Sequence, residues 1–224
     1  FDNVLNDQRH VIFSQRNNII NTNEIFNYSE TFLDETIDQL ISEKNLSINP
    51  KKSKDFETRV KTLVGKSFND EEIKNLGEVK NDEFKDKLKN KFLEKRSERL
   101  KKLGDDQSKE IEKRIFLQVI DANWKLHIQY LEQLRQVIGL RSYGQRDPLV
   151  EYKKEAFSLF ENLLSKLKFD LITILLNLTI IEKTEEPTQN KNKINPKYVG
   201  KKMSRNEPCY CGSNKKYKHC CGRF

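Results

Sequence analysis

Between Gln107 and Ile181 apolar residues recur at every third or fourth position in two long stretches, the spacing that gathers side chains on one side of an α-helix. In the first stretch Ile111, Ile115, Val119, Ala122, Leu126, Tyr130, Leu134 and Val137 form one row, and Phe116, Ile120, Trp124, Ile128 and Leu131 form a second beside it. A sector that wide implies two packing neighbours. The second stretch carries Ala156, Phe160, Leu163, Leu167, Leu171, Ile174, Leu178 and Ile181 at near-heptad spacing, which suits antiparallel knobs-into-holes packing. The polar segment GLRSYGQRDP joins them, with Asp147 as a helix N-cap and Pro148 as the first helical residue. The pattern predicts a helical hairpin with a polar tip. From pattern alone Leu140 and Tyr143 fold back onto the hairpin more often than they reach elsewhere.

The same reading predicts helices before the hairpin. Phe1 to Ile20 is the end of a helix, and Asn27 with Glu30 resembles a capping box leading into Phe32, Leu33, Ile37, Leu40 and Ile41. Lys44 to Lys54 is expected as a connection. Shorter helices then stop at Gly65 and Gly77, and a longer charged one built on Phe84, Leu88, Phe92 and Leu93 ends at Leu103 and Gly104. After Ile181 periodicity stops. The expected fold class is all-α, a helical scaffold with an antiparallel two-helix hairpin and an inserted small helical subdomain. Its divisions are a scaffold helix over 1–26, the subdomain over 27–104, the hairpin over 105–181, a disordered basic linker over 182–202 and a small terminal module over 203–224.

Composition agrees with long, partly solvated helices, since hydrophobic and charged residues are nearly equal at 35% and 34%. The numbering opens on Phe1, at the edge of a helical pattern, so a piece of a longer polypeptide is expected. The apolar run from Phe169 to Ile181 is interrupted by Asp170 and Asn177 and falls short of the roughly 20 residues a membrane-spanning helix needs. From Lys183 onward 11 Lys or Arg face 3 Asp or Glu, so the tail carries the whole net charge of +8. Such a tail suits an anionic partner, although a lysine-rich linker is more often only a solubility element.

The four cysteines, Cys209, Cys211, Cys220 and Cys221, all lie in SRNEPCYCGSNKKYKHCCGRF. A segment this short has no apolar face of its own and needs covalent or coordinative closure. Four thiolates in two close pairs can surround a tetrahedral Zn²⁺, whose binding free energy then becomes folding free energy. The spacing is not the commonest finger spacing, so disulfides, free thiols and His219 in place of Cys221 stay open. Four protein ligands would leave no position for metal catalysis. No catalytic constellation stands out elsewhere, and no catalytic residue is assigned.

Three stretches together resemble the C-terminal portion of the SecA family of bacterial preprotein-export motors. FDNVLNDQRHVIFSQRN is similar to the end of its scaffold helix, LQVIDANWKLHIQYLEQLRQVIGLRSYGQRDPLVEYKKEAF to its two-helix finger, and SRNEPCYCGSNKKYKHCCGRF to its terminal zinc-binding domain. The resemblance implies a cytoplasmic protein, peripherally associated with the inner membrane. Such a motor couples ATP hydrolysis to pushing unfolded preprotein through the SecYEG channel. It implies that ATP and Mg²⁺ bind in an upstream region and that this piece alone is inactive. It also implies a polypeptide-contacting fingertip at Tyr143 with Leu140 and Arg141, a regulatory first finger helix containing Trp124, and Zn²⁺ on Cys209, Cys211, Cys220 and Cys221. The family's fourth ligand is often His, and here Cys221 stands there. Implied partners are the channel, preprotein, the export chaperone SecB where present, anionic phospholipids and a second copy of the full-length protein. A different class of reading is a helical scaffold with a basic zinc knuckle that stacks single-stranded nucleic acid on Tyr210 and Tyr217.

Overall fold

The computed structural model describes residues 1–46, 50–139, 147–180, 204–209, 211, 213 and 215–223, with backbone only at 50–53 and 70. Its helices are α1 (Asp2–Asn21), α2 (Ile25–Leu46), α3 (Pro50–Val64), α4 (Asp70–Glu78), α5 (Asn81–Leu103), α6 (Asp105–Ile138) and α7 (Pro148–Asn177). Two 3₁₀ turns, Gly65–Ser67 and Tyr217–His219, complete the described elements. Extended pairing among the described residues is limited to an isolated antiparallel bridge between Pro208 and Lys216. The chain divides into two compact units, Phe1–Ile180 and Ile181–Phe224. Among the described residues no helix is long and apolar enough to cross a membrane.

In the first unit the expected hairpin is present as α6 and α7. Asp147 caps α7 as its sequence foretells, its side chain accepting from the Leu149 amide at 2.8 Å, with Pro148 at the first helical position. At the other end of α6, Gly104 separates it from α5 with φ 80 and ψ 168, a region almost closed to residues with a Cβ. The helix stop expected at Gly104 therefore holds for a backbone reason.

Other boundaries differ. The capping box expected at Asn27 and Glu30 does not form, because α2 already begins at Ile25, whose side chain is fully buried. Asn27 instead donates from Nδ2 to Glu24 Oε2 at 2.7 Å, and a capping box forms at Asn69 and Glu72. The connection expected over Lys44 to Lys54 is mostly helix, since α2 runs to Leu46 and α3 starts at Pro50. Gly77 does not stop α4, which continues to Glu78.

One core runs from α1 through α7. Ile12 and Ile19 of α1, Leu33, Ile37 and Leu40 of α2, Phe84, Leu88 and Phe92 of α5, Phe116 and Ile120 of α6, and Leu167, Leu171 and Leu175 of α7 belong to it. Burial of each such aliphatic or phenyl group stabilises the unit by about 1.5–3 kcal/mol. Thr36, buried in α2, satisfies its hydroxyl by donating back to the Phe32 carbonyl at 2.7 Å. A second, smaller cluster of Leu131, Leu134, Ile138, Tyr152 and Ala156 fills the distal half of the hairpin, against Val4 and Leu5 of α1.

The buried face of α6 is not the pair of rows expected. Ala122, Leu126, Tyr130 and Val137 of the first row and Ile128 of the second are exposed. The covered side instead includes Ser108, Glu112, Asn123 and His127 among its apolar residues. On α7 Ile174 is likewise exposed, while Tyr152, Ile172, Leu175 and Leu176 are buried.

Candidate metal centre and the hairpin

The second unit is held by few bonds. The Cys209 amide donates to the Lys215 carbonyl and the Tyr217 amide to the Glu207 carbonyl, both at 2.8 Å, which lays the strand-like segment around Pro208 beside Lys216. The 3₁₀ turn Tyr217–His219 then brings Cys220 and Cys221 back towards the first pair. Gly222 closes the module, donating its amide to the Tyr217 carbonyl at 2.9 Å. A Cβ at Gly222 would lie 2.5 Å from Tyr217 Cε1, so the close approach of ring and backbone requires glycine.

This path converges the sulfur atoms of Cys209, Cys211, Cys220 and Cys221 to within 4.8 Å of one another. Cys211 Sγ and Cys220 Sγ are 3.3 Å apart, and Cys220 Sγ and Cys221 Sγ 3.9 Å. A tetrahedral ion with metal–sulfur bonds of ~2.3 Å needs sulfurs about 3.8 Å apart, and the four sulfurs already cluster near that spacing. Hydrogen bonding from Ser213, ahead of Cys220 and Cys209, holds the Cys211 thiol down to about 6, within reach of the thiolate form a metal requires. Bonding to the Cys211 backbone likewise lowers Cys209. His219 is exposed and does not belong to the converging group. Arg205, Lys215, Lys216 and Arg223 are exposed on the same module, placing cations around a site that four thiolates would make anionic.

The fingertip residues Leu140, Arg141 and Tyr143 lie outside the described residues, as do Ile181 and the linker over 182–202. Trp124 is described. It is half-buried against the main core, with its ring 5.5 Å from that of His127.

His127 was legible only as a histidine in a helical pattern, yet it joins three helices. Its Nε2 is 2.8 Å from Gln8 Oε1 of α1, and Gln8 Nε2 donates to the Ala156 carbonyl of α7 at 3.0 Å. A carbonyl can only accept, so the Gln8 amide nitrogen must face Ala156 and its oxygen must face the imidazole. His127 Nε2 therefore carries the proton. One turn earlier Asn123 donates to Asp170 Oδ2 at 3.1 Å and accepts from Lys166 Nζ at 3.2 Å. Asn123 and His127 stand between the main core and the distal cluster, as a polar layer across the hairpin.

A second buried polar group ties α5 to both hairpin arms. Arg99 Nη1 donates to the Leu175 carbonyl at 2.6 Å, and Arg99 and Arg96 approach Glu112 Oε1 at 3.5 and 3.4 Å. Desolvation lowers the Arg99 guanidinium from its ordinary range, and Glu112 opposes that shift. Spacing gave no sign of this group, because only the fold supplies its partners.

Comparison with known proteins gives these units a lineage. The model of the SecA Wing and Scaffold domain matches residues 1–179, and that of the SEC-C motif matches residues 205–223. The Protein translocase subunit SecA of Pelagibacter ubique (strain HTCC1062) is 57% identical over 231 residues, covering 99% of this chain and 27% of that relative. The proteins of the same description from Thermodesulfovibrio yellowstonii (strain ATCC 51303 / DSM 11347 / YP87) and Carboxydothermus hydrogenoformans (strain ATCC BAA-161 / DSM 6008 / Z-2901) are 35% and 32% identical, each over 100% of this chain and 26% and 27% of the relative. The chain thus spans about a quarter of the length of these curated relatives. With a wing-and-scaffold match over the helical unit and a SEC-C match over the cysteine module, this chain belongs to the SecA family.

Proposed function

We propose that the chain is the C-terminal portion of a protein-export motor that couples ATP hydrolysis, carried out upstream, to moving unfolded preproteins through the SecYEG channel. The observation that carries this reading is the near-complete coverage of the chain at 57% identity by a protein translocase subunit. Within it, 1–26 is the end of the scaffold helix, 27–104 the wing, 105–181 the finger, 182–202 a linker and 203–224 the metal module. This piece alone does not hydrolyse ATP. Leu140, Arg141 and Tyr143 form the polypeptide-contacting fingertip, and the first finger helix, with Trp124, restrains the motor. The full-length protein works in the cytoplasm and at the inner membrane, with a second copy of itself as one partner.

Cys209, Cys211, Cys220 and Cys221 hold one Zn²⁺. Bound there, the ion supplies structure and no reaction chemistry, because its four positions are filled by protein. The thiolates anchor the turn Tyr217–His219, and the exposed Arg205, Lys215, Lys216 and Arg223 are thereby presented together to anionic partners, the acidic face of an export chaperone such as SecB or anionic phospholipid. Nucleic-acid binding is the weaker reading, since Tyr217, which it needs for base stacking, is packed against Gly222.

The test is a chimera in which this chain replaces the matching C-terminal portion of the Pelagibacter ubique relative. ATP-driven preprotein import into SecYEG vesicles is then measured. The expected result is import well above that of a chimera truncated before Phe1. A chimera that folds, hydrolyses ATP and imports nothing above that truncation overturns the reading.

A further inference from the structure

The four sulfurs are not equivalent, and their differences point beyond metal binding. Cys209 is 6% exposed and its backbone is pinned to Lys215, whereas Cys211 and Cys220 are half-buried with sulfurs 3.3 Å apart. Their sulfurs need close by only about 1.3 Å to reach the ~2.05 Å of a disulfide bond. Cys220 and Cys221 are farther apart at 3.9 Å, and bonding them would close a strained ring across adjacent residues. The Ser213 hydroxyl donates to Cys220 Sγ at 3.1 Å, on the sulfur that faces Cys211.

We propose that Cys211 and Cys220 form a reversible disulfide when the module meets hydrogen peroxide, and that this oxidation discharges the metal. The inference rests on the metal reading above. The Cys220 thiolate attacks one peroxide oxygen; an S–O bond forms, the O–O bond breaks, and the departing hydroxide takes a proton to become water. The Cys211 thiolate then attacks the Cys220 sulfur; an S–S bond forms, the S–O bond breaks, and the second hydroxide is protonated to water. Each sulfur loses one electron, and the two oxygens of the peroxide are reduced. Cys209 and Cys221 alone are too few donors to hold a four-coordinate ion, so the cationic surface loses its support until a dithiol reductant restores the pair.

The test uses the whole chain as purified, exposed to hydrogen peroxide at a few equivalents. Metal release is read with a chromogenic chelator, free thiols are counted, and cross-linked peptides are mapped by mass spectrometry. The expected result is loss of about one metal ion and about two thiols per chain, a link between Cys211 and Cys220, and rebinding of added zinc after dithiothreitol. Cys221→His, which keeps four donors, is expected to behave alike; resistance of a metal-loaded Cys221→His chain would place the reactive thiol at Cys221 and overturn the assignment. Metal retained under peroxide, thiols lost without a disulfide, or a link through Cys209 or Cys221 in the natural chain would also overturn it. Protein that purifies without metal yet forms the Cys211–Cys220 link refutes the metal reading and the discharge while the pairing survives. Protein that holds metal and forms no link refutes the pairing alone.

Discussion

Acidification should weaken the hairpin through His127. The side chain is 3% exposed, and desolvation pushes its imidazole from 6.5 down to about 4. Its surroundings offer little to a second proton: neutral Gln8 from α1, the Trp124 ring from α6, the Phe160 ring from α7, and the Lys166 cation lining the same groove between the arms. Between pH 6.5 and about 4 the unfolded chain is protonated at this position and the folded chain is not. The unfolded state binds more protons there, so stability is full above 6.5 and is lost as pH falls towards 4. At 1.36 kcal/mol per pH unit the interval corresponds to about 3 kcal/mol, an upper figure because the hairpin can relax around the charge. Urea unfolding followed by helical circular dichroism, from pH 7.5 to 4, should show this loss over and above the loss of the His127→Gln variant. Glutamine keeps a donor for Gln8 Oε1 and removes the titration. Coincident pH profiles for the natural chain and His127→Gln, or an NMR titration placing His127 near 6.5, would refute the reasoning.

Three further outcomes follow from particular contacts. Replacing Glu112 with Gln removes the charge facing buried Arg99 and Arg96, and should cost about 3–5 kcal/mol in the same urea assay, against well under 1 kcal/mol for Glu110→Gln in the exposed pair with Arg114. Chelation should remove about one zinc per chain, seen by elemental analysis, and collapse the amide NMR signals of residues 204–223 while helical circular dichroism stays constant. In a full-length motor carrying this chain, Tyr143→Ala should lower preprotein import with basal ATP hydrolysis and helix content retained; normal import would count against a fingertip role.

The features of the fold legible in the sequence are those fixed by local backbone chemistry. Gly104 and the Asp147–Pro148 pair mark helix ends because positive φ, a side-chain cap and a fixed φ are properties of single residues. The hairpin itself was legible from periodicity. Its covered face was less so, because hydrophobic spacing identifies a wide sector without deciding where within it a particular pair of neighbours will pack. Tyr130 and Leu126 lost burial to His127 and Asn123, polar groups whose places depend on Gln8, Asp170 and Lys166, distant in sequence and near only in the fold. Asn27 misled because a plausible cap lay two residues inside a helix already begun at buried Ile25. The cysteines were legible as a group because four soft donors in so short a segment have few other uses. That Cys221 converges with the other three sulfurs became visible only in the fold, after the turn Tyr217–His219.

The polar layer at Asn123 and His127 also acts as an alignment mark. Helix α6 has 34 residues, about 50 Å at 1.5 Å per residue, and near-heptad repeats of that length would tolerate sliding along α7 by whole turns with little change in apolar contact. A slip of one heptad would set the Gln8 amide against Leu134 and strand His127 among leucines, leaving buried donors and acceptors unmatched at about 1–3 kcal/mol each. Only one alignment of the arms avoids that penalty, so the register of α6 against α7 is set by hydrogen bonds near the middle of the hairpin.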